Sequence, residues 1–383
     1  MTEDGTSMQP MNTSTLPTPA ALLDEARMQH NIGRMQARIE TLGARLRPHV
    51  KTAKCLPVAR QQLAAGAQGI TVSTLKEAEV FFAAGITDIL YAVCIAPPKL
   101  RQARALCESG CALTVVVDSV TAAQALVDCG HRFSVMIEID TDGHRAGVLP
   151  ESDLLLQVGR TLHGGGATLR GVMTHAGASY ACRGPAALQA MAEQERSRCV
   201  RAAQRLRAAG LPCPEVSVGS TPTALSAQSL AGVTEVRAGV YVFHDLVMHG
   251  LGVCRMEDIA LSVLTTVIGH QADKGWVLVD AGWMAMSRDR GTREQPLDQG
   301  YGAVCDEQGQ LIDGFIMIDA NQEHGILSWR DGRRDPGLAE RFAVGARLRI
   351  LPNHACATAA QFPGYDVLAA DGGLRRWDRF YGW

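Results

Sequence analysis

From about residue 20 to residue 240, short runs of Val, Ile and Leu alternate with longer stretches rich in Ala, Leu, Gln and Arg. The runs fall at residues 45–48, 69–72, 88–92, 113–117, 134–139, 169–174, 215–218 and 234–237. Most are apolar at consecutive positions, as parallel strands covered on both faces require. Between them, residues 54–65, 75–84, 98–108, 119–129, 152–162 and 185–209 carry good helix formers. Gly66, Gly85, Gly110 and Gly210 close helical segments, in the place where a left-handed C-terminal residue feeds the next strand. Eight strands with intervening helices predict a (β/α)8 barrel. An open doubly wound sheet competes with it, but no G-x-G-x-x-G follows the first strand.

After about Cys254 the long Ala-rich runs thin out. Residues 262–268, 276–280, 314–318, 325–328 and 347–351 read as short strands separated by turns, a second and mostly β domain. The expected organisation is a flexible tail over 1–15, a barrel over 16–254 and a mostly β domain over 255–383. The first residues are polar, carry Glu3 and Asp4 and lack an apolar segment, so no signal peptide is expected. No stretch approaches the roughly 18 apolar residues of a membrane span.

Composition narrows the function classes. The 383 residues hold 37 Lys+Arg against 39 Asp+Glu, a net charge of −2, with 46% hydrophobic residues. This excludes a disordered or fibrous chain and gives no long-range attraction to nucleic acid or anionic membrane. Eleven cysteines, an odd number with no C-x-x-C pair, argue against a secreted disulfide framework and for a reducing cytoplasm.

In a barrel, chemistry belongs at the C-terminal ends of the strands. The first strand runs into R-P-H-V-K-T, where Lys51 is either a solvated loop lysine or a partly desolvated amine available for imine formation. The fifth ends in D-T-D-G-H-R-A-G, where Arg145 could donate to a cofactor oxygen or pair with Asp140 or Asp142. The sixth ends in T-H-A-G-A-S-Y, placing His175 and Tyr180 at the same mouth. The seventh and eighth end in V-G-S-T-P-T and R-A-G-V-Y. There Gly219, Ser220, Thr221, Gly239 and Tyr241 offer N–H and hydroxyl groups to a phosphate, or simply form tight turns. Near the C-terminus, P-N-H-A-C puts His354 two residues before Cys356. In an extended segment both would point to one side and could hold a metal, with nitrogen and sulfur donors suited to zinc. A chance pairing is the alternative.

Together these motifs resemble fold-type III pyridoxal-phosphate enzymes, and within them the D-serine dehydratase and D-threonine aldolase group. The segments lie in the family's order from about Pro17 to the C-terminus. T-V-S-T-L-K-E-A-E, I-E-I-D-T-D-G-H-R and D-A-G-W-M-A-M-S-R-D-R-G are most similar to the group's bacterial 3-hydroxyaspartate dehydratase branch. The resemblance implies an alanine-racemase-like barrel. It implies that Lys51 holds pyridoxal 5'-phosphate and removes the substrate α-proton, with Arg145, His175 and Tyr180 around the cofactor ring. Gly219, Ser220, Thr221, Gly239 and Tyr241 would surround the phosphate. His354 and Cys356 would bind a divalent metal, zinc or else Mn, Co or Mg.

Aldolases of this group carry H-x-D where this chain carries H-x-C, so the resemblance implies dehydration of a D-3-hydroxy amino acid. 3-Hydroxyaspartate would give oxaloacetate and ammonia; D-serine would give pyruvate. Cleavage of D-threonine to glycine and acetaldehyde, and a non-catalytic pyridoxal-phosphate carrier, are the alternative readings. A racemase fits less well, because it requires a second base in place of a metal. A second carboxylate on the substrate needs a cation. Arg288, Arg290, Arg293 and His324 are the candidates. Relatives of this fold type imply a homodimer.

Overall fold

The computed structural model describes residues 13–383. Of the tail expected over 1–15, residues 1–12 lie outside the described part, and Thr13–Thr15 form one 3-10 turn. The chain divides into two compact units. One comprises Ile32–Tyr241 with Tyr381–Trp383; the other combines the residues up to Asn31 with Val242–Phe380.

All eight expected parallel strands are present in the first unit, at Arg45–Leu46, Ile70–Val72, Asp88–Cys94, Ala112–Val117, Ser134–Glu138, Thr168–Met173, Glu215–Val218 and Glu235–Val236. Each pairs in parallel with its neighbours, and Arg45–Leu46 pairs with the last. Thr71 N donates to Pro48 O at 2.8 Å and Val50 N to Thr71 O at 2.9 Å, which links the two ends of the sheet and closes it into a barrel. The strands are as apolar inside as the consecutive Val and Ile runs require: Val115, Val116, Val117, Ile137 and Val172 are fully buried. Each such side chain contributes about 1.5–3 kcal/mol on burial. Six helices follow strands near the expected places, the longest being Pro185–Ala208. Gly66, Gly85, Gly110 and Gly210 all take positive φ just past helices, where a side chain would be strained.

Below the sheet mouth, Arg47 and Glu235 form a buried ion pair at 2.7 Å; Arg47 also donates to Asp88 at 2.9 and 3.0 Å. Burial opposes charge on Glu235, but Arg47, the Ser217 hydroxyl and Arg45 hold its carboxyl below the ordinary value of 4.5. Arg47→Ala leaves that buried carboxylate with only the half-buried Arg45 and the Ser217 hydroxyl as partners and should cost about 3 kcal/mol, the low end for breaking a buried pair, in urea unfolding at neutral pH. A carboxyl with a depressed folded pKa stabilises above its unfolded value and loses that contribution as pH falls through the folded value. The difference between wild type and variant should therefore shrink below pH 4.5. A neutral-pH loss under about 1 kcal/mol, the level of a surface pair, would contradict this account.

The second unit is mostly β, as the pattern after Cys254 predicts. Its nine-stranded sheet runs Trp276–Val279, Gly325–Trp329, Leu311–Ala320, Gly302–Cys305, Arg347–Pro352, Leu261–Gln271, Ala20–Asp24, Gly364–Leu368 and Leu374–Asp378. Trp276–Val279 also pairs with Leu261–Gln271, closing the first six strands into a ring. The strand Ala20–Asp24 is the departure from the sequence pattern, which put it with the barrel over 16–254. It pairs with Leu261–Gln271 and with Gly364–Leu368, and its side chains Ala20 to Leu23 are buried there. No helix among the described residues is long and apolar enough to cross a membrane.

Candidate active site

The barrel unit gathers the cationic and imidazole groups at one mouth. Lys51 follows the first strand through Pro48, His49 and Val50, and His49 N is fixed by Ala238 O at 2.8 Å. Of the two readings of Lys51, a solvated loop lysine and a partly desolvated amine, the structure shows the solvated one: the loop carries the side chain past the end of the short Arg45–Leu46 strand. Among the described residues Lys51 makes no ion pair, whereas its neighbour Lys54 is bound to buried Glu77 at 3.2 Å. Of the two lysines, Lys51 is therefore the available amine.

His49 and His175 lie within the fields of Lys51, Arg145 and Arg237. Burial, then those cations, hold both imidazoles neutral: His49 falls well below the usual range and His175 falls to about 3. Gly219 O lies 2.9 Å from His175 Nδ1. A carbonyl only accepts, so Nδ1 carries the hydrogen and Nε2 keeps its lone pair. Tyr180 is exposed, its ring 6.3 Å from that of His175. Arg145 is also exposed; its nearest acid is Glu138 at 3.9 Å, not Asp140 or Asp142. Asp140 is engaged otherwise, accepting from Asp142 N and Gly143 N in the turn.

Gly219 takes φ +142, and a Cβ there would meet Arg237 O at 1.9 Å, so only glycine allows this close approach of two strand ends. Ser220 caps the short helix Thr221–Ser226, with Thr223 N donating to its hydroxyl. Several of the expected phosphate donors are already engaged. Gly219 N donates to Glu195, Ser220 N to Thr223 Oγ1 at 3.1 Å, and Tyr241 N to Thr221 Oγ1 at 3.2 Å. The Tyr241 ring is fully buried and its hydroxyl accepts from Gln62 at 2.9 Å. Tyr241 thus corrects the sequence expectation: it packs and braces the turn, while the turn's glycine, Gly239, abuts His49 O and Thr52 Oγ1.

These residues fit pyridoxal phosphate. An unpaired amine, two guanidinium groups and two neutral imidazoles suit an anionic aldehyde. The buried Nδ1 of His49 has no hydrogen-bond partner among the described residues, which marks a polar group awaiting one.

The β unit carries the second cluster. The strand Arg347–Pro352 ends just before His354, which precedes the helix Ala355–Ala359. Cys356 is in that helix, so the two residues do not share an extended segment. They meet nonetheless, the Cys356 sulfur hydrogen-bonding the imidazole of His354, whose own backbone is extended where it caps the helix. Asp289 Oδ2 accepts from His354 Nδ1 at 2.6 Å, so Nε2 is the ring nitrogen left for a metal. Burial opposes charge on His354, but Cys356, Asp289 and Asp245 together push it up to about 11, so a metal binding there would have to displace the Nε2 proton. Buried Asp245 holds Ala355 N at 3.0 Å and Met248 N at 2.9 Å, anchoring the turn. Thr292 to Asn353 at 2.6 Å and Thr358 to Met286 O at 2.8 Å bind the 286–292 loop to the same segment.

The donor set fits a divalent metal: nitrogen, sulfur and an orienting carboxylate on the far ring nitrogen. Among the described residues no group of three or more His, Cys, Asp or Glu is arranged as a metal site. The pair would supply two ligands and leave positions open to water or substrate. Removing the orienting carboxylate in Asp289→Ala should weaken metal affinity about 10–100-fold, measured by competition with a chelator. Unchanged affinity would take Asp289 out of the site.

Of the candidate carboxylate-binding cations, Arg288 lies over the Trp283 ring at 4.0 Å and His324 is exposed in a turn. Trp283 N donates to Asn321 O at 2.9 Å and Met284 N to Gln322 O at 3.1 Å, which brings the two loops side by side. Arg290 is committed to Asp298 and the Tyr301 ring. Asp289, Glu195 and His49 escaped the sequence reading. Asp289 stands within the arginine-rich segment already singled out, and His49 within the lysine motif. Nothing in the sequence separates buried Glu195 from its surface neighbour Glu193.

A parallel barrel with a lysine at the first strand end, joined to a β unit with a His–Cys pair, defines the class. Residues 23–246 match the alanine racemase N-terminal domain and residues 260–368 a serine dehydratase domain. The chain belongs to the alanine-racemase-like family, in which it carries this dehydratase domain as its second part. It is 65% identical over 374 residues to D-threo-3-hydroxyaspartate dehydratase of Delftia sp. (strain HT23), covering 96% of this chain and 98% of that one. It is 31% identical to the D-serine dehydratase of Dictyostelium discoideum, covering 94% and 95%. Among solved structures, a Cys-to-Ala mutant of D-threo-3-hydroxyaspartate dehydratase in the metal-free form superposes with a TM-score of 0.95 at 65% identity. It covers 97% of this chain and 99% of that one.

Proposed function

We propose that the protein is a pyridoxal-phosphate- and metal-dependent dehydratase that converts D-threo-3-hydroxyaspartate to oxaloacetate and ammonia. The observation that carries the reading is the contact of His354 with Cys356, braced by Asp289, in a chain 65% identical to a dehydratase of that name.

When bound, pyridoxal phosphate supplies an electron sink for charge developing at the substrate α-carbon. A divalent metal on His354 and Cys356 would supply a Lewis acid for the departing β-hydroxyl, a poor leaving group near neutral pH. The chain's own residues do the rest. Lys51 would hold the cofactor, and its Nζ would take the substrate α-proton. His49 and His175, kept neutral by burial and by neighbouring cations, accept or donate hydrogen bonds without adding charge. Arg145 would donate to an anionic oxygen of the cofactor ring. Arg288 and His324 are the cations of the β unit that would suit the second carboxylate of the substrate. Loss of water leaves an enamine, which hydrolyses to the keto acid and ammonia.

Eleven cysteines, an odd number with no C-x-x-C pair, support a reducing, cytoplasmic location. Six of them (Cys55, Cys111, Cys199, Cys213, Cys254 and Cys305) are buried as packing residues.

Initial rates of ammonia release across the 3-hydroxyaspartate stereoisomers, D-serine and D-threonine test the substrate assignment. The D-threo isomer should be fastest. A higher rate on D-serine, with pyruvate as product, would move the assignment to a D-serine dehydratase.

A further inference from the structure

We propose that Glu195 is a positioning residue for the cofactor site, a single carboxylate oxygen that holds two neighbouring barrel strand ends in the geometry that binds pyridoxal phosphate. The inference rests on the reading that this mouth takes that cofactor.

The strands Thr168–Met173 and Glu215–Val218 run side by side, and Thr174 N to Ser217 O at 3.0 Å continues their ladder past the first strand's end. Beyond that bond the two chains turn into loops with no sheet to register them. Glu195 rises from the helix Pro185–Ala208 beneath them and is 2% exposed. Its Oε1 accepts from Ala176 N and from Gly219 N, each at 3.0 Å. Ala176 follows His175, and Gly219 O is the group that meets His175 Nδ1 at 2.9 Å. The four groups form a closed circuit: Glu195 fixes Gly219, Gly219 fixes the His175 ring, and Glu195 fixes the backbone next to that ring.

The circuit has a reason to need an outside acceptor. Gly219 sits at φ +142 with Arg237 O against it, a conformation that its own chain does not favour and an outside acceptor must maintain. Two buried N–H groups on one oxygen leave neither donor orphaned. A side-chain contact between the same loops, Ser179 Oγ to Ser220 Oγ at 2.9 Å, depends on the same registration. Glu193, two residues earlier, is exposed and bound to Arg196, so the role belongs to Glu195 alone of the two.

The test uses the full chain, resolved from cofactor and titrated with pyridoxal phosphate by absorbance, with melting of each apoprotein recorded in parallel. Glu195→Ala removes the acceptor, Glu195→Asp draws it back by one methylene, and Glu195→Gln keeps an oxygen in place. Misplacing a site by an ångström costs on the order of a hundredfold, so the Ala and Asp variants should bind the cofactor at least about tenfold more weakly. The Gln variant should stay within about twofold of wild type, since an amide oxygen accepts both N–H groups. If the Ala variant does not fold, the Asp and Gln pair decides. Wild-type affinity in the Ala or Asp variant, or a Gln variant as weak as Ala, would overturn the proposal. A wild-type protein that binds no pyridoxal phosphate would instead remove the reading on which it rests.

Discussion

Lys51→Ala should abolish the long-wavelength absorbance of the bound cofactor and lower ammonia release by about 10³-fold or more, the range for loss of a general base. The expectation rests on two lysines three residues apart. Lys54 sits at φ 43 and is bound to buried Glu77, so its amine is committed to structure. Lys51 is exposed and makes no ion pair among the described residues. The neighbouring imidazoles His49 and His175 are neutral, so no proton is contributed from that side. Lys54→Ala serves as the control: it should lower stability and keep the band. A band that survives in Lys51→Ala and disappears in Lys54→Ala would transfer the role to the other lysine.

The second large effect concerns the His–Cys pair. Chelation should remove ammonia release from the wild-type enzyme, and a divalent cation should restore it. Lewis-acid assistance is worth several kcal/mol, so Cys356→Ala should fall by about 10²–10³-fold and should not recover at the metal concentration that restores wild type. His354 keeps its orienting bond to Asp289 in that variant, so folding of the segment, anchored by Asp245 and Asn353, should be unaffected. Thermal melting separates the two effects. A Cys356→Ala enzyme that is fully active and indifferent to chelation would leave the pair as a packing feature.

Much of this architecture is legible in the sequence because burial on both faces writes itself as continuous apolar runs. Val115 to Val117 and Ile70 to Val72 are strands for that reason, and the glycines past the helices mark where one unit ends and the next begins. Ala20–Asp24 was not legible. Its Ala-Ala-Leu-Leu pattern is as compatible with a helix as with a strand, and only pairing with residues some 240 and 340 positions away makes it a strand of the second sheet. The site divides along the same line. Lys51, His175, His354 and Cys356 stand at strand ends in short motifs, and motifs are local. The partners that set their chemistry are not. Asp289 is 65 residues from His354, and Glu195 reaches Ala176 and Gly219 from 19 and 24 residues away. The extended-segment argument for H-x-C holds for His354, whose backbone is extended, but not for Cys356, which lies in the helix that follows.

Product analysis with D-threo-3-hydroxyaspartate tests the central claim most directly. Dehydration and retro-aldol cleavage share the substrate and the cofactor and differ in which bond at the β-carbon breaks. The account predicts ammonia and oxaloacetate in equal amounts, lost together on chelation, with no glycine. Glycine and glyoxylate in equal amounts would contradict it and make the enzyme an aldolase despite Cys356.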